Sequence, residues 1–225
     1  MTLEHWTARP SPGARDLIGN TVLLQPLDWD RHGEGLAEAI AGRDNEAIWR
    51  FMPIGPFLTV DEFVRGFSRV ARERNWAPLV IQRTDDNKIL GTASFMRIRE
   101  AHGSVEVGAV AFSDLLKRTQ LATEAMYLMA SHVFDDLGYR RYEWKCHNHN
   151  EASKRAALRL GFSSEGVFRN DMVVKGESRD TAWFAMTDGD WPHIKDGFEA
   201  WLAPDNFDEA GKQRTSLSGL RGVQP

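Results

Sequence analysis

Three short stretches carry residue types that could do chemistry. In "LLKRTQLATEA" (115–125), Lys117 and Arg118 stand directly before a segment that opens like a helix. A helix N-terminus presents unpaired N–H groups and a partial positive charge, and both suit a phosphate. Basic residues there run against the dipole and want a reason. Thr119 and Thr123 add hydroxyl donors. The plainer alternative is a solvated loop with Thr119 as a simple N-cap.

In "SVEVGAVAF" (104–112), alternation puts Val105, Val107, Ala109 and Ala111 on one face and Glu106, Gly108, Val110 and Phe112 on the other. Both faces are mostly apolar, so the strand should be central. A carboxylate there must be paired, neutral, or partly wet in a cleft. Glu106 is therefore either a general base or half of a structural ion pair, with Arg97 or Arg99 across the hairpin as partner. The third stretch, "CHNHN" (146–150), sits at a strand C-terminus, where α/β sheets tend to bind ligands. Asn150 is explained by capping, and Ser153 falls in the following first turn, where its hydroxyl serves a ligand or the backbone. His147 and His149 lack a third ligand at sensible spacing, so no metal is expected.

The elements that must position these residues follow from period and punctuation. "TVLLQPL" (21–27) reads as a strand, and "DWDRHGEGLAEAIAG" as a helix capped by Asp28 or Asp30 and stopped by Gly42. "TVDEFVRGFSRVARERN" (59–75) has a capping box in Thr59 and Glu62, and an apolar stripe of Val60, Phe63, Val64, Phe67 and Val70. Strands at 78–83, 88–98 and 104–112, joined by "TDDN" and "REAHG", predict an antiparallel meander. A helix from Leu121 to Leu137, a strand at 140–146, a helix at 150–162 and a closing hairpin follow. From Asp188 a short helix with Trp191 and Trp201 is expected, then a polar tail. The order is β-α-α-β-β-β-α-β-α-β-β, a mixed α/β arrangement. The expected division is an extended arm (1–18), one domain (19–190), and a C-terminal helix and polar tail (191–225).

Composition sets outer bounds. The 225 residues are enough for one sizeable core, and 42% hydrophobic with 27% charged residues is ordinary for a globular domain. A net charge of −4 gives no general attraction to nucleic acid or membrane, so neither is expected as a partner. Cys146 is the only cysteine, which rules out an internal disulfide framework. No run approaches the eighteen or so apolar residues of a membrane span, and the first sixteen residues lack the apolar core of a signal peptide. A cytoplasmic setting is the expectation. Tryptophans near the ends (Trp6, Trp191, Trp201) are suited to pack terminal segments onto the domain or onto a partner such as a second copy in a homodimer.

The element order, together with "KRTQLATEA", "NEAS" and "ALRLGF", resembles the GNAT superfamily of acetyl-CoA-dependent N-acetyltransferases over residues 19–190. On "GNTVLLQPL", "VEVG" and "NEASKRAALRLGF" the chain looks most like the branch containing ribosomal-protein N-terminal acetyltransferases. The resemblance implies the GNAT acyl-CoA N-acyltransferase fold, a largely antiparallel sheet flanked by helices, with acetyl-CoA as cosubstrate. In that family a Q/R-x-x-G-x-G/A loop binds the coenzyme A pyrophosphate through its backbone amides. Lys117 takes the Q/R place, Gln120 the central glycine place and Ala122 the final small place, while Arg118 stands where a second glycine is common. A helix first turn has φ near −60° and needs no glycine, so the loop is expected to keep its amides on phosphate, with Arg118 adding a charge-assisted bond.

Carried over residue by residue, the resemblance assigns the coenzyme to Lys117, Arg118, Thr119, Gln120, Leu121, Ala122 and Thr123, to Val110 and Phe112 on the strand, and to Asn150 and Ser153. It makes Glu106 the base, directly or through a water. Ser153 becomes the hydroxyl for the departing thiolate, because the place of the family's tyrosine is Ala157. Backbone donors around Val110 would hold the oxyanion. The acceptor groove would draw on Trp49, Phe51, Met52 and Trp183 with Asp171, Glu177 and Asp180, a set that suits a cationic amine unless the aromatics are core and the acids hairpin surface. The expected activity is acetyl transfer to a primary amine, a protein N-terminus or a small molecule. The alternatives are a coenzyme-binding or regulatory module of the same fold, and a partner-binding protein that uses its Trp-rich ends.

Overall fold

The computed structural model describes residues 2–222. Eight strands form one sheet: β1 (Leu17–Ile18), β2 (Val22–Pro26), β3 (Ala77–Arg83), β4 (Ile89–Arg99), β5 (Ser104–Phe112), β6 (Arg141–His147), β7 (Ser163–Val174) and β8 (Glu177–Thr187). Their spatial order is β1-β2-β3-β4-β5-β6-β8-β7, and every neighbouring pair is antiparallel except β5–β6. The parallel pair needs a crossover, supplied by the helix between those strands.

Helices cover both faces. On one lie α1 (Trp29–Ile40) and α2 (Val60–Glu73). Asp28 caps α1 by accepting from the Asp30 amide at 2.9 Å. Thr59 caps α2 by accepting from the Glu62 amide at 3.2 Å, while the Glu62 carboxylate reaches back to the Leu58 amide at 2.9 Å. Phe63, Phe67 and Val70 are buried, and Val60, at the first turn, stays exposed. The other face carries α3 (Gln120–Ser131), α4 (Glu151–Leu160) and α5 (Trp191–Leu202). Each face has its own apolar cluster, one around Leu36, Phe63, Phe67 and Val80, the other around Phe95, Val107, Met129 and Tyr142.

Two departures from the sequence reading shape the sheet and the C-terminus. First, β5 does not keep one alternation. The β4–β5 register steps from Thr92↔Ala111 to Ser94↔Gly108, which leaves one extra residue on β5, and Ala109 takes φ +48°. This bulge exchanges the faces beyond it. Val105 and Val107 point to the α3 side, but Ala111 joins the α1–α2 cluster, and Val110 and Phe112 turn to the α3 side. Second, the segment after α5 is not a polar tail. It forms a 3-10 turn at Pro204–Asn206, a bridge between Phe207 and Gln213, and a short helix α6 (Leu217–Leu220). Leu217 and Arg221 are buried. The N-terminal arm also packs on the domain: the Trp6 indole donates to the Ala101 carbonyl at 2.8 Å, and the Arg9 guanidinium lies over its ring at 4.2 Å.

Candidate active site

The parallel pairing of β5 and β6 runs only from Ser104↔Arg141 to Val107↔Trp144. Beyond it β5 continues to Phe112 and β6 to His147, so the two strands part. A cavity of about 1300 Å³ opens at this split, large enough for an elongated ligand and a second molecule. The β5 bulge faces it, and Ala109 and Val110 have no cross-strand partner on β4.

At one mouth stands the start of α3. Thr119 is its N-cap, accepting from the Ala122 amide at 3.2 Å and donating its own hydroxyl to the Leu116 carbonyl at 2.6 Å. Among the described residues the amides of Gln120 and Leu121 have no protein acceptor. Lys117, Arg118, Thr119 and Gln120 line this mouth, with Ala122 and Thr123 deeper. Leu121 differs, since its side chain packs against the core and only its backbone remains for a ligand. Lys117 is held by Asp114 at 2.8 Å, whereas exposed Arg118 has no carboxylate partner among the described residues.

The loop geometry corrects one expectation. Gln120 is an ordinary first-turn residue, but Arg118 has φ +62°. A left-handed residue is needed at this loop position after all, and arginine supplies it at a conformational cost of about 1–2 kcal/mol. Arg118→Gly is therefore expected to raise unfolding stability by about 1 kcal/mol, whereas Arg118→Ala keeps the strain. Both should weaken acetyl-CoA by about tenfold if the guanidinium binds phosphate. Chemical denaturation and calorimetry separate the two effects, and unchanged affinity in both variants would mean that Arg118 holds no phosphate.

At the centre of the cleft, Glu106 is 6% exposed and its carboxylate meets the Lys145 ammonium at 2.5 Å, with Arg97 at 3.8 Å. Arg99, the other expected partner, pairs instead with Glu143 at 2.5 Å. Lys145 comes from the adjacent parallel strand, a neighbour that sequence spacing alone could not reveal. Burial raises the Glu106 pKa, and the Lys145 charge only partly offsets this.

Asn150 caps α4, its Oδ1 accepting from the Ser153 amide at 3.1 Å. Ser153 Oγ accepts from the Trp144 indole N–H at 2.9 Å. That bond occupies one of the two lone pairs of the hydroxyl and leaves its proton free to be donated. Trp144 was not singled out in the sequence; its place on β6, nine residues before Ser153, makes the contact. Val110, Phe112, Asn150 and Ser153 all line the cavity. So does Arg159 of α4, which donates to Thr123 Oγ1 at 3.1 Å and stacks over Trp201 at 5.1 Å.

The far side is aromatic. Phe51, Met52 and Trp183 line it, but Trp49 is fully buried against Phe57 and Phe63 with its indole bonded to the Ile40 carbonyl. Of the acids expected there, only Asp171 lines the cavity; Asp180 accepts from the Asn170 amide, and exposed Glu177 begins β8 at the hairpin turn. His147 Nδ1 accepts from the His149 amide at 3.0 Å, and among the described residues no cluster of three metal-ligating side chains forms.

A sheet split between its one parallel pair, with a helix N-terminus at one mouth and a buried carboxylate inside, is the arrangement expected from the resemblance to the acetyltransferases. Residues 21–163 match the acetyltransferase (GNAT) domain model, and the chain belongs to this family of N-acetyltransferases. It is similar to a GCN5-related N-acetyltransferase from Brucella melitensis, with 41% identity, coverage of 98% of this chain and 100% of that one, and a TM-score of 0.93. A probable GNAT-family acetyltransferase from Chromobacterium violaceum is 40% identical, covering 85% and 96% of the two chains with a TM-score of 0.79. The uncharacterized N-acetyltransferase YoaA of Bacillus subtilis is 28% identical over 73% of this chain and 92% of its own length. A putative ribosomal-protein-serine acetyltransferase from Vibrio cholerae and a ribosomal-protein-S5-alanine acetyltransferase from Vibrio fischeri also have this fold, at 16% and 18% identity with TM-scores of 0.60 and 0.62.

Proposed function

We propose that the protein moves an acetyl group from acetyl-CoA to a primary amine by direct attack on the thioester. The observation that carries this reading is the split of β5 from β6, which joins the α3 N-terminus and Glu106 in one continuous cavity. The free edge of β5 beyond Val107 offers backbone groups to an extended ligand, and the bare amides of Gln120 and Leu121 suit a pyrophosphate. Lys117, Arg118 and Thr119 would flank that pyrophosphate, and Val110, Phe112, Ala122, Thr123 and Asn150 would border the rest of the coenzyme.

Acetyl-CoA would supply an activated carbonyl and a thiolate leaving group. The chain's own residues would do the rest. Glu106, with its proton affinity raised by burial, accepts the proton that the amine must shed, directly or through a water. Lys145 and Arg97 add positive potential, which disfavours an ammonium acceptor and favours the free amine. Backbone donors at the bulge around Val110 meet the developing oxyanion. Ser153, oriented by Trp144, donates to the departing sulfur.

Incubation with acetyl-CoA and a panel of amines and N-terminal peptides, read by thiol release, tests the activity. Release with at least one amine is expected; acetyl-CoA binding without release from any would leave a coenzyme-binding module. Ser153→Ala should lower kcat by about tenfold with acetyl-CoA affinity kept, because a thiolate needs less acid help than an alkoxide. Full activity in that variant would make Ser153 only a part of the α4 cap.

A further inference from the structure

The β8 strand carries three side chains at alternate positions, Arg179, Thr181 and Trp183, and all three line the cavity. Strand period places them on one face. Each ends in a buried donor atom with no hydrogen-bond partner among the described residues: Arg179 Nε, Thr181 Oγ1 and Trp183 Nε1. Arg179 is 9% exposed and Thr181 2%. Among the described residues the one hydrogen bond of the Arg179 guanidinium is a 3.5 Å contact from Nη1 to the Phe51 carbonyl.

Charge on this wall is unbalanced. Lys145 is taken by Glu106 at 2.5 Å and Glu143 at 3.3 Å, and Arg97 lies 3.8 Å from Glu106. Arg179 has no carboxylate within 4 Å among the described residues. Asp171 and Glu106 act on this guanidinium only from beyond ion-pair distance. A buried cation with no direct counter-charge is costly, and an anion arriving in the cavity would relieve that cost. The cross-strand pairs Lys145↔Trp183 and His147↔Thr181 put these donors on the same wall as Glu106's partner.

We propose that the acceptor is an amine that also carries a carboxylate, with its nitrogen at Glu106 and its carboxylate on Arg179 and the Thr181 hydroxyl. This rests on the acetyl-transfer reading. A guanidinium receives a carboxylate through two parallel hydrogen bonds, and the threonine hydroxyl supplies a third. Trp183, one step nearer Lys145, lies alongside the amine end with its ring and N–H. A protein N-terminus with no nearby acid would leave all these donors bare.

The test uses α-amino acids and ω-amino acids of graded length, each paired with its decarboxylated amine: phenylalanine with phenethylamine, leucine with isoamylamine, γ-aminobutyrate with propylamine. Thiol release should favour at least one acid over its amine by about tenfold or more in kcat/KM. Arg179→Gln should abolish that preference through KM with kcat retained, and Arg179→Lys should keep part of it. Thr181→Val should give a smaller rise in KM, and it serves if Arg179→Gln fails to fold by circular dichroism. Equal use of acids and amines, or a preference that survives Arg179→Gln, overturns the proposal. If no amine turns over, calorimetry with coenzyme A and N-acetylphenylalanine, N-acetylleucine and N-acetyl-γ-aminobutyrate decides it. Binding lost in Arg179→Gln supports the carboxylate site even as acetyl transfer fails, and no binding by any of them overturns it.

Discussion

Glu106→Gln is expected to lower kcat by about two to three orders of magnitude while acetyl-CoA affinity stays within about twofold. Glutamine keeps the size and an oxygen acceptor for Lys145, so the packing of β5 against β6 survives. What it loses is the ability to take a proton. Burial raises the Glu106 pKa, so the ascending limb of the wild-type pH–rate profile should lie above the ordinary carboxylate range. The sign follows from the base role: activity appears as pH rises through that pKa and is lost below it. In Glu106→Gln the limb should vanish, leaving residual activity that tracks the free amine fraction. An unshifted limb with only a small loss of rate would make Glu106 a structural partner of Lys145.

Arg221→Ala should lower stability by about 3 kcal/mol, although it lies beyond the matched domain. Arg221 is 6% exposed and its guanidinium donates to the Arg159 carbonyl at 2.6 Å and the Leu158 carbonyl at 3.3 Å. Both belong to the last turn of α4: the Leu158 carbonyl also accepts from the Gly161 amide at 3.1 Å, so the Arg159 carbonyl is the one that depends on Arg221. A cation also complements the negative end of the helix dipole. The side chain threads past Gly161 and Gly197, where any Cβ would collide with it. Alanine leaves the Arg159 carbonyl without its donor and the space unfilled. Thermal unfolding should move down by about 6–12 °C. Because α4 carries Asn150, Ser153 and Arg159, acetyl-CoA should also protect the variant less against heat. A loss below about 0.5 kcal/mol would mean that the C-terminal segment merely lies on the surface.

Much of this molecule is legible in one dimension. Caps and stops are local events: Asp28, Thr59, Thr119 and Asn150 each bond an amide two or three residues on, and Gly161 has the φ of +104° that ends α4. Apolar period separated helices from strands for the same reason, since each period marks one buried face. The loop cations, Glu106, and the Asn150–Ser153 pair stood out because their types are costly or unusual at such positions. The motifs around them were enough for a family resemblance.

The tertiary structure decided what depends on neighbours in space. The bulge at Ala109 adds one residue, and that flips the inward face of β5, which no alternation count could foresee. The left-handed Arg118 reflects closure of the loop rather than its own preference. Glu106 found Lys145 because β6 arrives beside β5 only after a helical crossover, and Ser153 found Trp144 because α4 folds back along β6 after a short turn. In the sequence, Arg179 and Thr181 stand only as part of a closing hairpin, and Trp183 enters the acceptor groove only through the family resemblance. Only the cavity in front of them shows three donors without acceptors. Local hydrogen bonds and period are written into adjacent residues, whereas pairing, burial and unmet charge are properties of residues brought together from far apart.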